Sequence, residues 1–81
     1  MQINNPWVTG QTAWSAFTTV HPELGYKDGP QQFYNFLRLN REHLLRVGAI
    51  RRAKKRFWIA HQELFIEQAF ELATGGDNNE V

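Results

Sequence analysis

The sequence predicts a small α+β fold, mainly helical, in the order helix, loop, helix, basic β-hairpin, C-terminal helix. Three observations predict it. Apolar residues recur at helical spacing in three separate segments, and between the second and third of these the pattern switches to alternation with a period of two. At 81 residues the chain has room for one core. The expected organisation is a single domain over residues 1–76 and a disordered tail over 77–81.

The elements follow in chain order. Asn5-Pro6-Trp7-Val8 reads as an extended lead-in that drops Trp7 onto the core, and Thr9 as an N-cap whose hydroxyl accepts a first-turn N–H. Ala13, Trp14, Ala16, Phe17 and Val20 then mark the apolar face of a first helix, which His21-Pro22 closes because proline disfavours helical geometry in the residue before it. Glu23 to Gly29 reads as a loop.

Asp28-Gly29-Pro30 signals the next helix, with a capping acid and a proline in the first turn. Phe33, Phe36, Leu37, Leu44 and Val47 share one face of it, and Gln31, Asn35, Arg38, Glu42 and Arg46 the opposite one. Gly48 supplies the C-terminal stop. Asn40 interrupts the apolar face, so the helix is either continuous with a slight kink or broken at Leu39-Asn40; the continuous form is favoured. Two alternating runs, Ala49 to Arg52 and Arg56 to Ile59, flank Ala53-Lys54-Lys55 and predict a hairpin with a basic tip. Ile50, Phe57 and Ile59 are expected on its inner side, with Arg51, Arg56 and Trp58 on its outer side. Trp58 is either a core or edge aromatic or an exposed flat ring. Gln62 to Ala73 completes the set as a helix with Glu63, Glu67 and Glu71 on one stripe. Its apolar arc of roughly 160° exceeds the ~100° that a single core contact requires.

Charge is the most uneven property of the chain. Eight of its nine Lys and Arg residues lie between Arg38 and Arg56, with Glu42 as the one acid among them, whereas residues 57–81 hold five acids and no base. A concentrated cationic patch beside aromatic and β-forming residues is the footprint of a polyanion binder. The absence of cysteine excludes a disulfide frame and a thiolate zinc site. The histidines His21, His43 and His61 lack metal-ligand spacing, and no nucleophile stands near a base, so neither an enzyme nor a cofactor or metal is expected. No apolar run approaches the ~18 residues of a membrane span, which makes a soluble, cytoplasmic protein with no membrane partner the expectation.

The residues best suited to double-stranded DNA are of two kinds. Gln31, Gln32, Asn35 and Arg38, near the start of the second helix, are candidate base readers, since amide and guanidinium groups pair bidentately with adenine and guanine edges. Arg41, Arg46, Arg51, Arg52, Lys54, Lys55 and Arg56 are candidate phosphate or wing contacts.

Three segments carry a resemblance. Trp7-Val8-Thr9-Gly10-Gln11-Thr12-Ala13, Leu45-Arg46-Val47-Gly48-Ala49-Ile50-Arg51-Arg52 and Arg56 to Phe65, in this element order, resemble the MerR-like winged-helix DNA-binding proteins of small phage and mobile-element excisionases. The likeness spans roughly residues 7–72. It implies a small winged helix-turn-helix without catalysis, which binds DNA near an attachment site, bends it and biases a tyrosine recombinase (integrase) toward excision. Some such proteins also repress transcription. The chain departs from the pattern in its long connection from His21 to Gly29 and in a wing tip of Ala53-Lys54-Lys55 where glycine is common.

Other classes remain distinguishable. A protein-interaction module would use the basic window or the wide arc of the last helix, with Ile66, Phe70 and Ala73 as self-association residues and a homodimer as its modest version. RNA binding would require ring platforms on an exposed sheet, which one short hairpin hardly offers.

Overall fold

The computed structural model describes residues 5–75; the tail expected over 77–81 lies outside them. The elements are β1 (Trp7–Thr9), α1 (Gly10–Val20), a 3₁₀ turn (Pro22–Leu24), α2 (Pro30–Arg46), β2 (Ile50–Ala53), β3 (Phe57–His61) and α3 (Gln62–Thr74). The fold is therefore α+β and mainly helical, as expected. The hairpin is part of a larger sheet, however: β1 joins it to make three antiparallel strands in the order β1-β3-β2.

Local chemistry sets each boundary. The Thr9 hydroxyl accepts the Thr12 N–H at 3.2 Å and caps α1. The His21 N–H reaches back to the Phe17 carbonyl at 2.9 Å, and Pro22 prevents further helix. Val20, placed on the apolar face by its spacing, is 54% exposed at this frayed end. Asp28 does not cap α2. Gly29 is the N-cap, with φ 138°, and Asp28 instead accepts a hydrogen bond from the Ser15 hydroxyl at 2.7 Å, tying the loop to α1.

α2 is continuous through Asn40, whose Nδ2 donates to the Phe36 carbonyl at 3.0 Å, so the amide is satisfied one turn back within the helix. At its C-terminus Gly48 adopts φ 81°; its N–H donates to Leu45 and the Ala49 N–H to Leu44. These paired bonds form a Schellman motif, which turns the chain sharply into β2 with Ala49 and Leu44 both buried. Val47, assigned to the core by its spacing, is instead the half-exposed C-cap.

Trp14 organises the core. The rings of Phe17, Tyr26, Phe33 and Phe36 lie 5.2 to 6.2 Å from it, and its Nε1 donates to the Lys27 carbonyl at 3.0 Å. One indole thus anchors the whole connection between α1 and α2. Phe65 and Ala69 of α3 close the core from the other side. The wide apolar arc of α3 follows from this position, because the helix packs at once on α1, α2 and β3. Ile66, Phe70 and Ala73 are half-buried there, and His21 stacks on Phe70 at 4.4 Å.

The sheet register reverses the expected facing of β3. Ile50 pairs with Ala60, Arg51 with Ile59, Arg52 with Trp58 and Ala53 with Phe57. Directly opposed residues share a face, so Trp58 and Ala60 lie on the Ile50 side, while Phe57 and Ile59 lie outward with Arg51. The cause is the turn: three residues, Lys54 to Arg56, separate Ala53 from its partner Phe57, and that spacing sets the parity of the whole strand. β1 obeys the same rule, with Val8 opposite Ala60 and Trp7 opposite His61. Val8 faces the core, and Trp7, expected there, stands on the outward face.

Candidate nucleic-acid interface

Each of the eight cations between Arg38 and Arg56 is exposed. Among the described residues none is paired with a carboxylate, the single ion pair being His21 with Glu23, away from this region. Glu42 lies four residues from both Arg38 and Arg46, a spacing that permits helical ion pairs, yet neither pair forms. The basic window therefore carries its charge uncompensated to the surface.

The elements bring part of this window together. Phe33 and Tyr34, in the first turns of α2, line one groove with Thr9, Gly10 and Gln11 from the start of α1 and with Phe57 and Trp58 of β3. Because Phe57 directly follows the turn, the hairpin tip projects beside the N-terminal end of α2. At ~100° per residue, Arg38 and Arg41 fall about 40° and 20° to either side of Tyr34 on the helix wheel. Both arginines thus lie on the flank of α2 that borders the hairpin.

The acidic stripe of α3 lies elsewhere. Glu67 and Glu71 border His43, together with Gln68, which sits 2.9 Å from the His43 Nε2. His43 is about 180° around the helix from Tyr34 at ~100° per residue. Glu67 and Glu71 therefore stand on the far side of α2 from the wing, whereas Glu63 lies beside His61 at the end of β3.

Gln31, Asn35 and Arg38 are exposed together on the outer surface of α2. Gln32 is half-buried at the edge of that surface. Arg46 is exposed but belongs to the other end of the helix, about 24 Å from Pro30 at 1.5 Å per residue, and so is separated from the group at the tip.

The two consecutive arginines of β2 point to opposite sides of the sheet, and each meets a tryptophan. The Arg51 guanidinium lies 5.5 Å from the centre of the Trp7 ring, and that of Arg52 lies 4.4 Å from the Trp58 ring. Such cation–π contacts hold an arginine in place without neutralising it, leaving its N–H groups to face a phosphate.

The tip itself is under backbone strain. Lys54 and Lys55 have φ of 53° and 56°, and the Arg56 N–H closes the turn onto the Ala53 carbonyl at 2.9 Å. Two successive left-handed residues are the requirement of the tight hairpin turn that favours Asn and Gly. This chain places two lysines there, putting charge where conformation alone would select glycine.

Sequence reasoning missed three participants. Tyr34 is 56% exposed beside the hairpin, a position its wheel angle, about 100° from Phe33, already implied. Gly10 is the second: a Cβ there would come within 2.6 Å of the Phe33 ring and 3.3 Å of the Trp58 Cβ, so its lack of a side chain lets α1, α2 and the wing converge. Trp7, partnered with Arg51 across β3, is the third, and no local pattern signals a pairing between residues so far apart in the chain.

Among the described residues no group of three His, Asp or Glu side chains is placed to hold a metal ion, and no helix is long and apolar enough to cross a membrane. The chain matches no family model, no curated protein and no solved structure. Its own geometry defines the class: a small α+β, winged-helix-like fold whose second helix and hairpin present unpaired cations on adjacent surfaces.

Proposed function

We propose that this protein binds duplex DNA, with the outer face of α2 in the major groove and the hairpin tip on the neighbouring backbone or minor groove. The observation that carries this reading is the unpaired exposure of all eight cations from Arg38 to Arg56, with Glu67 and Glu71 of α3 on the opposite flank of α2. Gln31, Asn35 and Arg38 read base edges, while Arg41, Arg51, Arg52, Lys54, Lys55 and Arg56 hold phosphates. Arg46, at the far end of α2, contacts a separate stretch of backbone.

The resemblance to excisionases extends the proposal to an architectural or regulatory role at a recombination site, with a tyrosine recombinase as protein partner and copies of the chain assembling on adjacent sites. A small transcriptional regulator would use the same surface. The role requires no catalysis and no cofactor.

Electrophoretic shifts over a salt series test the core of the proposal. With about four to six phosphates neutralised, log K falls against log salt with a slope of about −4 to −5. Failure to bind any duplex at low salt removes the reading.

A further inference from the structure

The outward face of the sheet shares only Arg51 with that duplex interface, and it carries a distinct chemistry. Its side chains are Phe57 and Ala53 in the row nearest the tip, then Ile59, Arg51 and Thr9, then His61 and Trp7. None of these strand residues is a carboxylate. The first acid beyond them, Glu63, follows His61 in α3, at the end away from the tip. Phe57 is 45% exposed. Trp7 is held edge-on by His61, with ring centres 5.6 Å apart, and the Arg51 guanidinium lies over it.

Two ring stations therefore lie at the ends of β3, about 13 Å apart at 3.3 Å per residue, with a guanidinium between them and the lysine-rich tip beside them. Rings of this kind find stacking partners only where bases are unpaired, since a duplex keeps its base faces within its own stack. Aromatic surface interleaved with cations and free of acids is complementary to a strand whose bases and phosphates alternate. The sole aliphatic hydroxyl on the face, that of Thr9, is already engaged: it donates to the Thr12 hydroxyl and accepts the Thr12 N–H. With that hydroxyl engaged, the polar groups left on the face are the Arg51 guanidinium and the His61 ring, which suit phosphates and do not require a ribose 2′-hydroxyl, so deoxyribose suffices as the backbone.

We propose that this sheet face binds a short run of unpaired DNA, with one base on Phe57, another on the Arg51–Trp7 pair and the intervening phosphates near Arg51 and the tip. This second surface lies around the wing from the duplex-binding one, so a strand opened beside the bound duplex reaches it.

The test uses the full chain with fluorescein-labelled oligo(dT), oligo(rU) and a duplex, each followed by anisotropy at low salt. Phe57→Ala weakens oligo(dT) binding on the order of tenfold and duplex binding by a clearly smaller factor. Phe57→Trp retains oligo(dT) binding, and Arg38→Ala shows the reverse selectivity. Oligo(dT) also quenches the emission of Trp7, and Trp7→Phe removes that quench while Trp14 and Trp58 remain. The proposal is overturned if Phe57→Ala melts normally and keeps its oligo(dT) affinity, or if it loses oligo(dT) and duplex by the same factor. Tighter binding of oligo(rU) than of oligo(dT) also overturns it, as does self-association in sedimentation that Phe57→Ala abolishes without changing oligo(dT) binding. A wild-type protein that binds duplex and not oligo(dT) defeats this proposal and leaves the duplex reading intact; the opposite result does the converse.

Discussion

Arg52 and Trp58 are directly paired across β2 and β3, and the guanidinium carbon lies 4.4 Å from the centre of the indole. The indole in turn lines the groove formed by Gly10, Phe33 and Tyr34. A cation of the wing is thereby coupled to the packing of both helices. A double-mutant cycle with Arg52→Ala and Trp58→Ala measures that coupling by urea denaturation. The expected interaction is about 0.5–1 kcal/mol; an interaction of zero means that the ring does not hold the arginine.

Gly10→Ala gives an outcome opposite to simple propensity. Alanine normally favours a helix over glycine. Here the added methyl meets the Phe33 ring at 2.6 Å, so either the ring or the start of α1 has to move. The substitution destabilises by about 1–3 kcal/mol, read as a lower urea midpoint at unchanged slope.

Lys55→Gly separates strain from charge. It relieves a left-handed residue, worth about 1–2 kcal/mol, and removes one cation from the tip. Stability rises while duplex affinity falls, and the salt slope becomes shallower by roughly one phosphate contact. Lys55→Ala loses the same charge without relieving the strain, so its melting temperature does not rise.

Asn35→Ala and the pair Lys54→Ala with Arg56→Ala distinguish reading from anchoring. Loss of a base contact relaxes preference at one position, with discrimination falling by about 1–3 kcal/mol. Loss of tip charges weakens all sequences alike. A binding-site selection on each variant checks both outcomes.

Glu23 provides a pH marker remote from the interface. The hydrogen bond from the His21 ring holds its carboxyl below the usual glutamate range, with a smaller contribution from its own backbone. A depressed folded-state value means that the contact supports the fold above the ordinary glutamate range and that this support is lost as pH falls through the folded value. The side chain is fully solvent-screened, so the effect on stability is small. In an NMR titration, His21→Ala returns Glu23 upward toward the ordinary range.

Much of the fold was legible because its signals are local. The Thr9 cap, the His21-Pro22 stop, the Gly48 turn and the helical spacing of Phe33, Phe36, Leu37 and Leu44 each depend on residues within a few positions of one another, and each stands where the pattern put it. Asp28 illustrates the boundary of such reasoning. It has the chemistry of a cap, but Ser15, thirteen residues away, competes for its carboxylate and wins. The facing of β3 was hidden for a related reason: alternation shows that two sides exist, while the turn conformation and pairing register decide which is which.

The amino-acid order alone determined three helices, a basic hairpin and the concentration of positive charge between Arg38 and Arg56, because periodicity, capping and charge are properties of neighbouring residues. Tertiary structure alone decided that β1 joins the sheet, that Phe57 and Trp7 turn outward, that Trp58 meets Gly10 and Phe33, and that Glu67 and Glu71 stand away from the wing. These outcomes depend on strand register and on the direction in which α2 and the hairpin lie side by side. Both are set by packing between residues distant in sequence, around the Trp14 cluster that buries them.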